Sequence, residues 1–236
     1  MEANGKIEAV QLSITPELTI SGRIGTPEWW PSGHRASVVL AHDLGSDLND
    51  PLLKILQERL TQKGFLSIAF NFPFAELGKK RPDPMPTLEK CYRAAGQALL
   101  RDPEEAPSIM VFAGLGLGAR VAAQVIAVGT KADGLICLGY PLHPAGKPSQ
   151  QKADSLFRII CPMLFVQGSR DAHCRIDRLE SLRRRIGAPT QLVVVEDADH
   201  SLRPVKRTHR TAEEMTEEML GAVESYLTRT IGGVGG

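Results

Sequence analysis

The chain has 236 residues, of which 42% are hydrophobic and 23% are charged, and this is the composition of an ordinary globular protein with a sizeable core. Its 28 basic and 27 acidic residues leave a formal charge of +1, which argues against a nucleic-acid partner. We see neither a run of about 18 apolar residues nor a signal peptide. We therefore expect a cytoplasmic protein with no membrane partner.

The predicted elements follow one another in the order of an α/β fold. Residues 7–24 alternate loosely between apolar and polar and predict an N-terminal antiparallel hairpin. Beyond it, short apolar runs alternate with segments of helical spacing. The predicted strands are 36–41, 65–70, 108–113, 134–139, 162–167 and 190–196, and the predicted helices are 51–63, 87–101, 117–128, 176–186 and 211–229.

This alternation predicts a mostly parallel central sheet with helices on both faces. We expect one domain over residues 1–236, with a disordered glycine-rich tail at 231–236. Two long connections, 71–86 and 140–160, follow strands of this sheet. Because functional crevices of parallel sheets lie beyond the carboxyl ends of the strands, these connections are the expected walls of a pocket.

The cysteines are not arranged for disulfides or for a metal site. No two of them have Cys-x-x-Cys spacing, and no Cys/His cluster has the spacing of metal ligands. We expect reduced thiols, no metal and no cofactor. The four cysteines are Cys91, Cys137, Cys161 and Cys174.

A glycine-rich turn separates the strand at 108–113 from the helix at 117–128. A hydrolase nucleophile elbow would read Gly-x-Ser-x-Gly at this place, with small flanking residues that let the strand and the helix approach. Gly114 and Gly118 match the flanks, and Gly116 lies at the nucleophile position. Glycine has no side-chain nucleophile, so residue 116 cannot form an acyl-enzyme.

An acid and a histidine follow the next strands in the chain order of α/β-hydrolases. Asp171 lies after the strand at 162–167 and His200 after the strand at 190–196. An acid so placed would hold the histidine in the tautomer that a general base needs. We predict that Asp171 and His200 form a catalytic or vestigial pair. His173 is a weaker alternative.

The oxyanion-hole region is predicted at Asp43, Leu44 and Leu117. Asp43 and Leu44 follow the first central strand, where such enzymes supply a backbone N–H to the oxyanion. Asp43 departs from the His-Gly pattern that is usual there, because a carboxylate would oppose developing negative charge. His42 and His143 are expected to make loop hydrogen bonds.

Several segments together resemble the KANL3/Tex30 group of α/β-hydrolase-like proteins, which is related to dienelactone hydrolases. The resemblance runs from about residue 36 to residue 200 and is carried by 42–51, Asn71-Phe-Pro-Phe, Gly139-Tyr-Pro-Leu-His-Pro144 and Gln167-Gly-Ser-Arg-Asp171. It implies the α/β-hydrolase fold, a catalytic acid at Asp171 and a catalytic histidine at His200. It also implies a serine at position 116, where this chain has glycine.

The leading hypothesis is a degenerate Ser-Asp-His site with little or no esterase activity that binds a small molecule or a protein partner. The alternative is an active hydrolase of ester, acyl or lactone substrates, in which Asp171 and His200 activate water or the native chain carries serine at 116. Taken alone, the glycine-rich segment could also be a tight strand-to-helix turn that binds no ligand. It could equally bind phosphate, since residues 114–119 match the relaxed dinucleotide fingerprint. A homodimer is left open.

Overall fold

An eight-stranded sheet forms the centre of the computed structural model, which describes residues 5–232. The spatial order of the strands is β1-β2-β4-β3-β5-β6-β7-β8. The pairs β1/β2 and β2/β4 are antiparallel, and the remaining five pairs are parallel. The strands are β1 (Lys6–Thr15), β2 (Leu18–Thr26), β3 (Ala36–Ala41), β4 (Leu66–Phe70), β5 (Ile109–Leu115), β6 (Gly134–Leu138), β7 (Met163–Gly168) and β8 (Thr190–Val195).

The predicted α/β-hydrolase architecture is confirmed, with helices on both faces of a mostly parallel sheet and an antiparallel hairpin at its start. The helices are α1 (Pro51–Gln62), α2 (Pro73–Glu76), α3 (Met85–Ala98), α4 (Leu117–Ala127), α5 (Ile176–Arg183) and α6 (Ala212–Gly232). One core cluster packs side chains of α3, α4 and α5 against the sheet, and a second packs those of α1 and α6 against the opposite face.

Strand β3 shows why the central strands read as unbroken apolar runs in the sequence. All six of its residues are buried. Val39 belongs to the core cluster on one face, and its neighbours Val38 and Leu40 belong to the cluster on the other. A strand that is covered on both faces has no solvent side, so it needs no polar alternation.

Some predicted boundaries were wrong, mostly where prolines or short elements are involved. Helix α3 begins at Met85 instead of residue 87, with Pro84 at its N-cap and a proline in its first turn, where the missing N–H costs nothing. Helix α2 lies inside the connection 71–86, which had been predicted as loop. Helix α5 ends three residues before the predicted 186.

Two expectations concern the ends of the chain and its relation to membranes. The disorder predicted for 231–236 falls mostly on residues outside the described range, so it stays a prediction. Within the described range, no helix combines the length and the apolar character that crossing a membrane requires.

Candidate functional site

Four of the residues singled out from the sequence meet at the carboxyl edge of the sheet. Asp43 follows β3, Gly116 follows β5, Asp171 follows β7 and His200 follows β8. Parallel strands end at the same edge, so loops that are distant in sequence come together there. The closeness of these side chains is therefore a consequence of the topology.

The backbone at Gly116 turns sharply from β5 into α4. Its φ of 48° and ψ of −112° lie in a region that glycine adopts readily and other residues adopt only with strain. A β-carbon at Gly114 would overlap the backbone of Gly118 and Ala119, so the strand and the helix approach too closely for a larger residue. The turn thus has the tight strand-to-helix geometry that a nucleophile elbow requires, and the residue at its tip has no side chain.

The carboxylate of Asp43 fills the space around this turn. Its Oδ1 accepts hydrogen bonds from the backbone N–H groups of Leu44 and Leu117, each at 2.6 Å. A β-carbon built at Gly116 would overlap the carboxyl group of Asp43. Leu117 is the first residue of α4, and the positive end of a helix dipole favours an anion. Asp43 therefore occupies both the place of a serine side chain and the N–H pair predicted as an oxyanion hole.

His200 lies between two carboxylates. Its Nδ1 is 2.7 Å from Oδ2 of Asp171, and its Nε2 is 3.5 Å from Oδ2 of Asp43. The Asp171 side chain is fully buried and also accepts hydrogen bonds from the side chain of Gln167 and from the backbone N–H of His173 at 2.6 Å. A neutral His200 that donates from Nδ1 directs the lone pair of Nε2 toward Asp43. The ring of His173 lies beside His200, 4.7 Å between centroids.

Gln167 is a positioning residue that sequence reasoning did not single out. It is completely buried in β7, where its amide donates to Asp171 and its Oε1 accepts from the backbone N–H of Tyr140 at 2.9 Å. A buried polar side chain needs such partners. In the sequence it is a polar residue at the end of an apolar strand, and it begins the segment Gln167-Gly-Ser-Arg-Asp171 that carries part of the resemblance.

Two other histidines fix the loops around the site. His42 is buried, accepts from the backbone N–H of Phe72 at 3.0 Å and places Nδ1 2.8 Å from the carbonyl of Asp43. Burial lowers the pKa of His42, although nearby carboxylates oppose this shift. His143 accepts from the backbone N–H of Arg175 at 3.1 Å. Both make the loop hydrogen bonds that the sequence indicated.

The cysteines of the chain place no thiol at the tip of this turn. All four cysteines are buried and free, and none lines the cavity beside Gly116. Burial raises the pKa of the Cys91 thiol to about 12 and that of Cys161 to about 11, so both are protonated at neutral pH. Over residues 5–232, no group of three or more His, Cys, Asp or Glu side chains has an arrangement suited to a metal ion.

A small cavity of about 160 Å³ opens beside the turn. Five leucines form the apolar part of its wall, namely Leu44, Leu52, Leu115, Leu138 and Leu202. Asp43, Gly116 and His200 line it together with two further charged residues, Asp50 and Arg203. The arrangement provides a carboxylate, an imidazole and an apolar surface for one small ligand.

The surroundings of His200 raise its pKa above the ordinary value of 6.5. Burial alone would lower the pKa, but the hydrogen bond and the charge of Asp171, with the charges of Asp43 and Asp199, outweigh it. A raised folded-state pKa means that the protonated histidine stabilises the fold. This contribution is fully present below the pKa of the unfolded chain's histidine, and it is lost as the pH rises through the folded-state value.

We expect the substitution Asp43→Asn to lower the pKa of His200, because it removes one of the two facing negative charges and keeps the shape of the side chain. The measurement is an NMR titration of histidine ring signals in wild type and variant. Asp177→Asn, an exposed change on α5, is the control. An unchanged His200 titration in Asp43→Asn would show that the carboxylate does not act on the ring.

Comparison with known proteins gives the family of the chain. A sequence profile described as alpha/beta hydrolase domain matches residues 34–228. Similar solved structures include a dienelactone hydrolase from Anabaena variabilis, which is 18% identical with a TM-score of 0.72 over 94% of this chain and 98% of that one. An α/β serine hydrolase without lid from Xanthomonas campestris is 18% identical with a TM-score of 0.71, over 94% and 95% of the two chains.

An esterase from Pyrococcus furiosus is 16% identical with a TM-score of 0.74, over 95% of this chain and 91% of that one. At such identities the likeness of the structures speaks for the fold alone. The profile covers most of the chain, from the loop before β3 to the last turns of α6. The chain therefore belongs to the alpha/beta hydrolase domain family.

Proposed function

We propose that this protein binds a small molecule in the cavity beside Gly116 and has little or no serine-type esterase activity. The observation that carries the proposal is the position of the Asp43 carboxylate, which fills the space of the serine and binds the N–H groups of Leu44 and Leu117. In this proposal Asp171 orients His200, and Gly116 marks the position of the lost nucleophile.

Serine-type ester hydrolysis requires two things that this site lacks. The first is the nucleophile, whose loss in serine hydrolases costs about 10⁶-fold in kcat. The second is a vacant oxyanion hole, in which a single N–H donor is worth about 10²- to 10³-fold. Asp43 holds both N–H groups in the resting protein, so an ester carbonyl would have to displace a charged group from them.

The size and the lining of the cavity favour a small ligand with polar groups over a protein partner. The cavity holds about 160 Å³, and leucine side chains share its wall with the charged or titratable groups of Asp43, Asp50, His200 and Arg203. Concave sites that combine an apolar wall with converging polar groups are the usual form of small-molecule sites.

Two other functions are less well supported by the geometry. Asp171 and His200 could activate water for ester hydrolysis, since Nε2 of His200 faces the cavity, but the oxyanion would then find its N–H donors occupied by Asp43. A phosphate at the glycine turn would meet the carboxylate of Asp43 at the start of α4. Like charges at one helix terminus repel each other, so this geometry argues against the dinucleotide alternative.

A panel of short p-nitrophenyl esters tests the proposal. We expect wild type and His200→Ala to hydrolyse the esters at the same low background rate. We also expect p-nitrophenyl butyrate to shift the backbone amide NMR signals of Leu44 and Leu117 in a saturable way. Turnover typical of a serine esterase that disappears in His200→Ala would refute the proposal. Absence of any saturable shift would refute its binding part.

A further inference from the structure

Strand β8 lies at one edge of the sheet, and its outer side has no strand partner within residues 5–232. Its residues from Thr190 to Val194 are partly exposed, whereas every residue of the neighbouring strand β7 is buried. An edge strand presents unpaired backbone N–H and C=O groups, which can bind another strand. What β8 can bind depends on its side chains and on which of these groups are free.

The two edges of the sheet differ in how well they are protected against pairing. At the other edge, β1 carries Lys6 and Glu8, which form an ion pair at 2.7 Å, and its pairing with β2 shifts register between Ser13 and Thr15. Charges and bulges are the usual protection of an edge strand. Strand β8 reads Thr-Gln-Leu-Val-Val-Val, with neither a charged residue nor a proline. It is therefore the edge that is suited to bind a further strand.

The backbone groups of β8 alternate between its two sides. The carbonyls of Pro189 and Val195 accept from the backbone N–H groups of Met163 at 2.9 Å and Ser169 at 3.0 Å, so the odd-numbered residues face β7. Successive residues of a strand point their backbone groups to opposite sides. The even-numbered residues from 190 to 196 therefore face away from the sheet.

Two arginines limit the free part of this outer edge. Arg183 donates to the carbonyl of Thr190 at 2.8 Å, and Arg210 donates to the carbonyl of Glu196 at 3.4 Å. Between these two carbonyls, the outward backbone groups of residues 192 and 194 have no hydrogen-bond partner in the part of the chain that the structure describes. The free segment is thus centred on residue 193.

We propose that β8 pairs antiparallel with β8 of a second copy of this chain, about a twofold axis at Val193. In this register Leu192 lies opposite the partner's Val194, and each such pair exchanges two backbone hydrogen bonds. The twofold axis repeats the pair, so four hydrogen bonds form and every free outward group is used. An axis at residue 192 or 194 would instead place free groups opposite a carbonyl that an arginine already occupies.

The charges at the two ends of the free segment are complementary in the same register. Thr190, whose hydroxyl accepts from Arg183 at 3.2 Å, lies opposite the partner's Glu196. Partial burial lowers the pKa of Arg183, and within residues 5–232 neither Arg183 nor Glu196 belongs to an ion pair. Arg210 is already paired with Glu218. Dimerisation therefore brings a carboxylate to a cation that lacks one, once at each end of the joined strands.

Sedimentation velocity over a dilution series tests the proposal, and we expect wild type to form a dimer. Val194→Pro removes an outward N–H that β7 does not use, so the monomer should fold, as circular dichroism can establish. Both copies lose a donor, so the dissociation constant of the dimer should rise at least about 10-fold. Glu196→Arg places like charges opposite each other and should also weaken the dimer. Glu28→Arg, an exposed change in the loop after β2, is the control and should behave like wild type.

Cysteine cross-linking tests the register. In Val193→Cys the two thiols lie on a directly opposed pair with about 4.5 Å between Cα atoms, within the range of a disulfide. In Val194→Cys each thiol lies opposite Leu192 instead. We expect oxidation to link Val193→Cys into covalent dimers and to leave Val194→Cys unlinked, since the four native cysteines are buried.

Three results would each overturn the proposal. Wild type could be monomeric at every concentration, as it would be if another segment of the same chain covered β8. A folded Val194→Pro could keep the wild-type dissociation constant, which would place the dimer contact elsewhere. Val194→Cys could cross-link as readily as Val193→Cys, which would exclude the axis at residue 193.

Discussion

The double variant Gly116→Ser/Asp43→Gly is expected to hydrolyse p-nitrophenyl esters at least about 100-fold faster than wild type, while each single variant stays near the wild-type rate. The double change supplies a hydroxyl at the elbow and frees the N–H groups of Leu44 and Leu117 together. His200 is already oriented by Asp171, so the base needs no repair. The measurement is initial ester hydrolysis for the four proteins.

Each single variant provides only one of the two requirements, either the hydroxyl nucleophile or the free N–H pair. In Gly116→Ser the new β-carbon would overlap the carboxyl group of Asp43, so either the serine or the aspartate must move. In Asp43→Gly the N–H pair is free, but no nucleophile is present. The effects of the two substitutions are therefore expected to be non-additive, as is usual for residues in direct contact.

The control for this repair is His200→Ala in the double-variant background, which should abolish the gained activity. Circular dichroism and thermal unfolding of all variants establish whether each has folded. A folded double variant that hydrolyses no ester would show that ester hydrolysis needs further groups at this site, beyond a hydroxyl at residue 116 and a free N–H pair. A gain that survives His200→Ala would exclude the histidine as the base.

The fold could be predicted from the sequence because its signals are local. The apolar runs of the central strands and the glycines at 114, 116 and 118 reflect burial and close backbone approach at those positions. The sequence does not predict helix α2, because it has only four residues, begins at Pro73 and is followed by Gly78. The alternation of strands and helices correctly predicted a mostly parallel sheet with helices on both faces, but it did not predict the spatial order of the strands.

The hydrogen-bond partners of the site residues were less predictable than the fold, because they depend on the directions of individual side chains. The sequence indicated that a carboxylate at residue 43 would oppose an oxyanion, but not that it would take the oxyanion's own donors. The hydrogen bond from Leu117 to Asp43 forms because the loop after β3 packs against the start of α4. This packing is visible in the structure and not in the sequence. The role of Gln167 could not be predicted either, because the sequence does not show which groups a single polar residue in a buried strand will contact.

Asp171→Asn is expected to lower the free energy of unfolding by about 3 kcal/mol. The Asp171 side chain is fully buried and accepts from Gln167, His173 and His200. An asparagine amide has a single acceptor oxygen, and its own N–H₂ group would face donors, so at least one buried donor loses its partner. Urea unfolding at pH 7 measures the change.

Asp177→Asn is the matched control, because Asp177 is exposed and forms its ion pairs with Arg175 and Arg178 at the surface. We expect its free energy of unfolding to equal that of wild type within error, as is usual for exposed ion pairs. If Asp171→Asn also unfolds like wild type, the three donors have other partners and Asp171 does not fix the ring of His200. If it is destabilised as expected, Asp171 and its three donors form a buried hydrogen-bonded unit that holds the ring of His200 beside the cavity.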